Sequence, residues 1–486
     1  MIVIKTLRLY HPLMNETWSP TLDTQDGALY ERIVKALRAD IGAGSLIPEG
    51  RMPPHRELAT RLGIGVGTVT RAYAEAERLG LLTSSVGRGT FVAREASPPR
   101  ESTGVDDLYE DRSTIDLSLN LQALDLAAPA IAEGMTRIHQ RPDLMRHLTV
   151  APHAGIEWHR QTLAAWFRKA AQFDGIDWRR LLVTTGAQHA LSLVMDTYCQ
   201  PGDVVLTEAA TFSGFRTLVE YHGARCVGVA MDGEGLLPDA LDRAATETGA
   251  RLVYVMPTLQ NPTSRTMSRA RREEIVRVAR KHDLTLIEDD VYAPIGFALG
   301  DRRPDIVPLA SLAPERTCYV SSVSKPIAMG LRVGVLVAPG EDQFTRFERA
   351  MHATCYATSS ISALLACQLI KDGAADEIRG AVAQEASHRM TLVRRMLGNA
   401  VETPSFESSL HAWMPMPELA AERIANGALR RGVVLTPPTS YLVDGSLVSG
   451  LRLCPNTVSR PQLERALRAV RSALADELAP GRMSIF

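Results

Sequence analysis

Six short apolar runs constrain the fold of this chain most. They read LLVTT, DVVLTE, RLVYVMP, LTLIEDD, CYVSS and VGVLVAP, and longer stretches with helical spacing of apolar residues separate them. Strands that alternate with helices favour parallel pairing, because each helix carries the chain back across the sheet. The pattern therefore predicts an α/β domain with a mostly parallel central sheet over residues 115–486.

A polar stretch precedes this domain. Residues 95–114 read EASPPRESTGVDDLYEDRST, which contains two prolines and many charges but no apolar periodicity. Such a composition is typical of a linker. The linker separates the α/β domain from a compact N-terminal domain, which we place at residues 21–94.

The N-terminal domain has the pattern of a winged helix-turn-helix. Apolar residues recur at helical spacing over residues 27–41, and the turn-rich break GAGSLIPEGRMPP follows. A short helix is predicted for residues 56–62, a glycine-containing turn for 63–67 and a longer helix for 68–79. Two β-type runs around Val86, Gly87, Arg88 and Gly89 then predict a hairpin whose tip carries a cation.

Charge is balanced over the whole chain but not within this domain. Lys and Arg total 54 against 55 Asp and Glu, so the overall composition indicates no nucleic-acid partner. Residues 51–94, however, hold seven arginines against three glutamates. A solvated arginine-rich surface is the alternative to a DNA-binding one. Thr68, Thr70 and Arg71 begin the longer helix, where recognition helices contact bases and phosphates.

The segment PPHRELATRLGIGVGTVTRAYAEAERLGLLTSSVGRGTFV resembles the GntR-type winged helix over nearly its full length. Many relatives carry an arginine just before the recognition helix where this chain has Val66, so the base preference does not transfer. The resemblance implies these contacts with a double-stranded DNA operator: Arg56, Thr68, Thr70, Arg71, Gly87 and Arg88.

Four motifs in the C-terminal domain carry candidate chemistry. LLVTTGAQHAL places Gly186 between a strand and a helix, where free N–H groups bind phosphate, although simple chain reversal is also common there. Gln260-Asn261-Pro262-Thr263 follows one strand, and Glu288, Asp289 and Asp290 end another, with Tyr292 beyond. Helix capping or Mg²⁺ binding are alternatives for the acids. Lys325 lies among apolar residues, where burial makes its amine available as a nucleophile.

Pyridoxal 5'-phosphate (PLP) is the ligand that needs all of these groups together. It requires phosphate donors, an acid beside its ring nitrogen, donors to its ring hydroxyl and a lysine that forms a Schiff base. The acid keeps the ring nitrogen protonated and so preserves the electron sink. The motifs therefore predict a PLP site, and no metal site.

The C-terminal domain resembles the fold-type I aminotransferases from about residue 115 to the end, which implies a smaller C-terminal lobe beside the central sheet. The likeness makes Lys325 the internal aldimine lysine and Asp289 the partner of the pyridinium nitrogen, the two catalytic positions. Val150 stands where relatives carry a tyrosine that reaches the partner subunit's phosphate. The remaining positions implied for PLP are Asn261 and Tyr292 at the ring hydroxyl, Phe212 stacked on the ring, and Gly186, Ala187, Gln188, Ser322, Ser324 and Arg332 at the phosphate.

Together the two domains resemble the MocR subfamily of GntR regulators. The likeness implies a homodimer that senses a small amino compound through aldimine chemistry on Lys325, with Arg452 of VSGLRLCPN holding the effector carboxylate. The main alternative is a working aminotransferase with an appended DNA-binding module, since the residues for turnover are present. A cofactor-free domain is disfavoured because Lys325, Asp289 and Asn261 are intact.

The cysteine spacing and the lack of long apolar runs predict reduced thiols and a protein outside the membrane. The six cysteines have no C-x-x-C or His-paired spacing, so neither a disulfide framework nor a zinc site is predicted. No apolar run approaches the roughly 20 residues of a membrane span. Lys5, Arg8 and His11 interrupt the region where a signal peptide would be apolar. We expect a cytoplasmic protein without a membrane partner.

Overall fold

The computed structural model describes residues 18–20, 29–48, 50–78, 81–85, 89–93, 114–149, 151–300, 303, 305–444 and 447–478. The chain divides into two units, Met1–Thr103 and Gly104–Phe486. Of the linker predicted for residues 95–114, only Thr114 is among the described residues. Within the described part of the chain, no helix combines the length and the apolar character that crossing a membrane requires.

The first unit is a winged helix-turn-helix, as predicted. Its elements are α1 (Leu29–Gly42), α2 (His55–Leu62), α3 (Val66–Arg78), β1 (Leu82–Ser85) and β2 (Gly89–Val92). Gly63 ends α2 in the left-handed conformation at φ 65°, which only glycine adopts readily. β1 and β2 pair antiparallel as the wing, and the tip residues 86–88 lie outside the described residues.

The turn between α2 and α3 is shorter than the sequence predicts. We expected the turn to span residues 63–67, but α3 begins at Val66. The N–H of Thr68 already donates to the carbonyl of Gly65 at 3.0 Å, so the helical hydrogen bonding starts two residues early. Val66 is therefore an exposed residue in the first turn of α3.

The core of this unit follows the predicted apolar faces. Ile33 and Leu37 of α1 pack with Leu58 of α2 and Val69 of α3, all nearly inaccessible to solvent. Tyr73 is also buried, and its hydroxyl donates to the carbonyl of Pro53 at 2.9 Å. This bond joins α3 to the segment before α2 and so helps to fix the orientation of α3 within the first unit.

The second unit contains a large lobe and a smaller C-terminal lobe. Its strands are β3 (Ile115–Asp116), β4 (Leu181–Thr184), β5 (Val204–Glu208), β6 (Arg225–Val229), β7 (Met231–Asp232), β8 (Gly235–Leu236), β9 (Leu252–Val255), β10 (Thr285–Asp289), β11 (Thr317–Ser322), β12 (Gly334–Val337), β13 (Ala412–Pro415), β14 (Val433–Val434) and β15 (Gly450–Leu453). Its helices are α4 (Ala128–His139), α5 (Leu144–His147), α6 (Glu157–Ala170), α7 (Ala187–Tyr198), α8 (Ser213–Tyr221), α9 (Pro238–Thr248), α10 (Arg269–Lys281), α11 (Ala293–Gly296), α12 (Leu309–Leu312), α13 (Glu341–Thr354), α14 (Ser360–Lys371), α15 (Ala374–Leu397), α16 (Glu418–Leu429) and α17 (Arg460–Leu478).

A seven-stranded sheet forms the centre of the large lobe, in the order β4-β12-β11-β10-β9-β5-β6. The neighbouring pairs are parallel except that β12 runs antiparallel to both β11 and β4. The mostly parallel sheet predicted from the six apolar runs is confirmed. Because β4, β9, β10 and β11 point the same way, the residues that follow them gather at one edge, where α/β folds bind ligands.

The smaller lobe has its own core, formed by the second half of α15 with α16, α17 and short strands. β13 pairs antiparallel with β15, and β14 pairs parallel with β3. Leu451 and Leu453 of β15 are fully buried in this core, so the intervening Arg452 faces the other side of the strand. That alternation directs Arg452 toward the edge of the large sheet.

Candidate functional site

Asp289 is the last residue of β10, at the ligand-binding edge of the sheet. Its side chain is buried, and Oδ2 accepts a hydrogen bond of 2.7 Å from the hydroxyl of Tyr254 on neighbouring β9. Oδ1 is also buried and has no hydrogen-bond partner among the described residues. Burial raises the pKa of Asp289 to about 6, and the Tyr254 bond opposes that rise. The site thus holds an acceptor in need of a donor.

Lys325 lies just beyond β11. Its Nζ donates to the main-chain carbonyl of Asn120 and lies 5.7 Å from the ring centroid of Tyr292. Burial lowers the pKa of Lys325 to about 8, and the positive charges of Arg452 and Arg332 act in the same direction. Near physiological pH Lys325 is therefore mainly a cation, with a larger neutral fraction than an ordinary lysine has, and the neutral amine is the nucleophilic form.

Asn261, Tyr292 and Arg452 lie together. Arg452 Nη1 donates to Asn261 Oδ1 at 2.8 Å, and both side chains act to lower the pKa of Tyr292, against the effect of burial. Burial raises the pKa of Tyr292 far above its ordinary value, so the phenol stays protonated and can donate. The sequence predicts Asn261 and Tyr292 as contacts of the PLP ring hydroxyl and Arg452 as the contact of the effector carboxylate. The structure brings the three side chains together.

The strand register assembles the predicted phosphate site. Ser322 lies opposite Gly334, and Gly334 lies opposite Thr184, so the ends of β11, β12 and β4 stand side by side. Gly186, at φ 77°, turns the chain from β4 into α7, and a Cβ there would lie 2.8 Å from Arg332 Nη2. The predicted residues that share this end of the sheet are Gly186, Ala187, Gln188, Ser322, Ser324 and Arg332.

Hydrogen bonds connect the residues predicted to bind the phosphate. The N–H of Ser324 donates to Ser322 Oγ at 3.3 Å, and Arg332 Nη2 donates to the carbonyl of Thr185 at 3.3 Å. Gln188 Nε2 donates to the carbonyl of Gly214 at 2.8 Å. Phe212, half-buried at the start of α8, lies against the same glycine. The helix N-terminus of α7 supplies free N–H groups and a positive dipole end for an anion.

Three buried polar residues that sequence reasoning missed support these groups. Burial lowers the pKa of His411 to about 3, so the ring is neutral; Nε2 donates to the carbonyl of Gln260 at 2.9 Å, and Nδ1 accepts from Asn120 Nδ2 at 3.0 Å. Glu208 Oε2 accepts from Gln260 Nε2 at 3.1 Å. Thr436 Oγ1 accepts from Arg452 Nη2 at 2.9 Å. His411 and Thr436 belong to no recognisable motif, so the sequence carried no signal for them. Glu208 ends the apolar run DVVLTE, and an acid at the carboxyl end of a predicted strand is a signal that could have found it.

In the first unit, the predicted DNA contacts lie at the starts of α2 and α3. Arg56 and Thr70 are exposed, whereas Thr68 is half-buried. Thr70 Oγ1 donates to the carbonyl of Val66 at 3.0 Å and lies 3.1 Å from His55 Nδ1. The guanidinium of Arg71 stacks on the ring of Tyr30, 4.0 Å from its centroid. Gly87 and Arg88 lie outside the described residues, as does Val150.

Comparison with known proteins matches both units. The family described as Aminotransferase class I and II matches residues 120–470, and the family described as Bacterial regulatory proteins, gntR family, matches residues 29–92. The uncharacterized HTH-type transcriptional regulator YdeF of Bacillus subtilis is 24% identical over 467 residues, covering 95% of this chain and 97% of YdeF. The uncharacterized HTH-type transcriptional regulator YjiR of Escherichia coli is 28% identical, covering 68% of this chain and 73% of YjiR.

Solved structures match the second unit. LysN, an α-aminoadipate aminotransferase from Thermus thermophilus crystallised with N-(5'-phosphopyridoxyl)-L-leucine, superposes with a TM-score of 0.66 at 25% identity. The match covers 76% of this chain and 93% of LysN. The covered share of the chain is close to that of the second unit alone, as expected for an aminotransferase fold preceded by a separate domain.

The cofactor implied by this likeness, PLP, fits the residues present. Asp289 Oδ1 is a buried acceptor suited to a protonated ring nitrogen, and Lys325 supplies the amine. Gly186 leaves the space beside Arg332 that a Cβ would fill. With bound PLP supplying an electron sink, these residues would hold its ring, its carbonyl carbon and its phosphate. The chain belongs to the aminotransferase class I and II family, and the GntR-type winged helix in front of that domain gives it the architecture of the MocR-type GntR regulators.

Proposed function

We propose that this protein is a PLP-dependent transcriptional regulator that binds DNA through its first unit and senses a small amino compound in its second. The observation that carries the proposal is that one chain holds both a winged helix with polar side chains at the start of α3 and a site with a buried lysine amine and an arginine bonded to Asn261. An aminotransferase alone has no use for the winged helix. Its DNA partner would place the protein in the cytoplasm.

The effector proposed for this site is a small molecule with both an amino and a carboxylate group. Its amine would exchange with the Lys325 amine at the cofactor, and Arg452 would hold its carboxylate. The pKa of Lys325, lowered to about 8, favours such an exchange because a neutral amine leaves and returns readily. We further propose a homodimer, in keeping with the paired half-sites that winged-helix regulators read.

The DNA-binding part is tested by gel shift on the region upstream of the protein's own gene. Arg56→Ala and Thr70→Ala should each weaken binding about tenfold, since a phosphate or base contact is lost. Arg179→Ala is the matched control, because Arg179 is an exposed arginine in the second unit. Absence of retardation for wild-type protein at every salt and effector condition would overturn the proposal.

The cofactor part is tested by absorption spectroscopy. Full-length protein mixed with PLP should show the visible band of the lysine-bound cofactor, and Lys325→Ala should lack it. Amino compounds that act as effectors should shift the band in wild-type protein, and the same compounds should change the affinity for DNA. A band that survives in Lys325→Ala would refute the assignment of this lysine. Steady release of keto acid, without an effect on DNA binding, would favour an enzyme instead.

A further inference from the structure

Residues 117–122, named here the bridging segment, are held by both cationic side chains of the proposed effector site. Lys325 Nζ donates to the main-chain carbonyl of Asn120, and Arg452 Nη2 donates to the main-chain carbonyl of Ser118 at 2.8 Å. Hydrogen bonds from charged donors are stronger than neutral ones. The two groups that would meet the effector therefore also fix one short stretch of backbone.

Thr436 completes the attachment at Ser118. Its hydroxyl donates to the carbonyl of Ser118 at 3.1 Å and accepts from Arg452 Nη2 at 2.9 Å. Thr436 is 8% exposed and forms an isolated β-bridge with Arg452, so both side chains are held in place by backbone pairing. Arg452, Thr436 and the Ser118 carbonyl form a closed triangle of hydrogen bonds, which we call the latch.

The bridging segment joins the two lobes of the second unit. At its start, the N–H of Leu117 donates to the carbonyl of Val434, and the carbonyl of Leu117 accepts from Cys454, both at 2.9 Å and both within the smaller lobe. At its end, Gln122 Nε2 donates at 3.2 Å to the carbonyl of Ile327, two residues beyond Lys325. The segment also begins directly after β3, which follows the predicted linker to the DNA-binding unit.

The geometry of Arg452 sets the latch and an effector carboxylate in competition for the same nitrogen, Nη2. A guanidinium offers two edges with a pair of parallel N–H groups, Nε with Nη2 and Nη1 with Nη2, and a bidentate carboxylate needs one of these edges. Both edges use Nη2, which in the latch already donates to the Ser118 carbonyl and to the Thr436 hydroxyl. Nε of Arg452 is buried without a partner among the described residues, so it is available for the first edge.

We propose that a carboxylate bound bidentately to Arg452 takes a hydrogen of Nη2 from the latch and frees the bridging segment. The inference rests on the proposed function for the identity of the effector site. It adds how effector binding at that site changes the backbone of the bridging segment. The effector then favours the open latch because it gains the Arg452 contacts only there, which is the differential binding that any allosteric shift requires.

The test compares two probes that differ only in a carboxylate, N-(5'-phosphopyridoxyl)-L-alanine and N-(5'-phosphopyridoxyl)ethylamine. Each is added at saturation to the full-length chain, with occupancy followed by its absorbance, and amide hydrogen exchange is measured in peptides covering residues 115–124. The alanine probe should speed exchange there about tenfold relative to the ethylamine probe, because a charged hydrogen bond is lost. Equal exchange with both probes bound would overturn the proposal.

A variant opens the latch without any probe. Thr436→Val keeps the side-chain volume and removes the hydroxyl, so exchange in residues 115–124 should rise several-fold in the free protein, and the extra effect of the alanine probe should shrink. Thr197→Val is the matched control, because Thr197 is 9% exposed and its hydroxyl donates only to the carbonyl of Leu193, within α7. Identical behaviour of the two variants would contradict a role for the latch.

DNA binding measured on the same samples separates this inference from the proposed function. If no sample binds DNA but the alanine probe speeds exchange, the latch stands and the regulator proposal fails. If effectors change the affinity for DNA while exchange in residues 115–124 is the same with both probes, the regulator proposal stands and the latch is wrong.

Discussion

Replacing Glu208 by Gln would test how strongly burial at the ligand-binding edge of the sheet raises the pKa of the acids there. The Glu208 side chain is fully buried at the end of β5 and accepts from Met256 N at 3.3 Å and Gln260 Nε2 at 3.1 Å. Its Oε1 has no partner among the described residues. Burial raises the pKa of Glu208 to about 8, and these two hydrogen bonds only partly oppose the rise.

The sign and size of the effect follow from proton linkage. With a pKa of about 8 in the folded protein against 4.5 ordinarily, folded Glu208 is protonated at pH 6 whereas the unfolded residue is ionised. The free energy of unfolding therefore falls as pH rises through this window, by about 1.4 kcal/mol for each pH unit at full slope. The slope declines near the folded pKa. Titration of Glu208 alone should therefore lower the free energy of unfolding by about 2 kcal/mol between pH 6 and pH 8.

The assay is urea unfolding of the full-length, cofactor-free protein at pH 6, 7 and 8. Tryptophan fluorescence mainly reports the second unit, which holds four of the five tryptophans, Trp158, Trp166, Trp178 and Trp413. Relative to wild type, Glu208→Gln should gain about 2 kcal/mol of unfolding free energy from pH 6 to pH 8, because Gln does not titrate. Burial also raises the pKa of Asp289 to about 6 and that of Glu288 to about 7, but both acids occur in both proteins and largely cancel.

Glu385→Gln is the matched control. Hydrogen bonds from Arg460 and Arg389 lower the pKa of Glu385 to about 2, so this carboxyl is ionised in both states above pH 6. Its stabilising effect is present above the ordinary pKa and is lost only in acid, so the difference from wild type should be constant from pH 6 to pH 8. A constant difference for Glu208→Gln as well would refute the reasoning about buried acids at this edge.

Three further outcomes are expected. Gly334→Ala should lower the free energy of unfolding by about 1–3 kcal/mol in the urea assay and weaken PLP binding, because its Cβ would lie 2.6 Å from the carbonyl carbon of Gly186. Gly330→Ala is the control: a Cβ there meets nothing within 4 Å, so the free energy of unfolding should change by less than about 0.5 kcal/mol. His411, with its pKa lowered to about 3, should show no change in its imidazole NMR signals between pH 5 and pH 8. Tyr73→Phe should speed amide exchange in α3, since the buried carbonyl of Pro53 loses its donor at a cost of about 1–3 kcal/mol.

The sequence predicted those parts of the fold and the site that depend on local pattern. The six apolar runs are strands of the central sheet, and the motifs containing Asp289, Asn261 and Lys325 lie at its ligand-binding edge. Strand direction explains why, because residues that follow parallel strands gather at one edge whatever their separation in the chain. Helix ends were less predictable: α3 begins at Val66 because the carbonyl of Gly65 already accepts a helical bond.

Single polar residues could not be predicted, because distant contacts alone give them a role. His411 contacts Gln260 and Asn120, which are 151 and 291 positions away in the chain. Thr436 meets Ser118, 318 positions earlier. A lone buried histidine or threonine has no spacing that distinguishes it from an ordinary core residue. Only the packing of the two lobes shows that these side chains hold the backbone around Lys325 and Arg452.

The acidic triplet at the end of β10 shows how the fold separates residues that look equivalent in the sequence. Side chains alternate along a strand, so Asp289 faces Tyr254 and Lys325 while Glu288 and Asp290 face away. Glu288 accepts two N–H groups at the start of α12, at 2.8 Å each, which is the helix-capping role considered for these acids.

Fully buried Arg272 accounts for the charges on that far side. It lies 3.8 Å from Glu288, and its positive charge opposes the rise in pKa that burial causes in both Glu288 and Asp290. Because an unpaired buried charge is costly, these two acids are balanced by Arg272 and by hydrogen bonds within the protein. Asp289 and Asp290 each have a tyrosine on one oxygen and an unpartnered acceptor on the other, among the described residues. Asp290 is influenced by the charge of Arg272 and Asp289 by that of Lys325, so Asp289 is the acid of the triplet placed to meet a ligand beside the lysine.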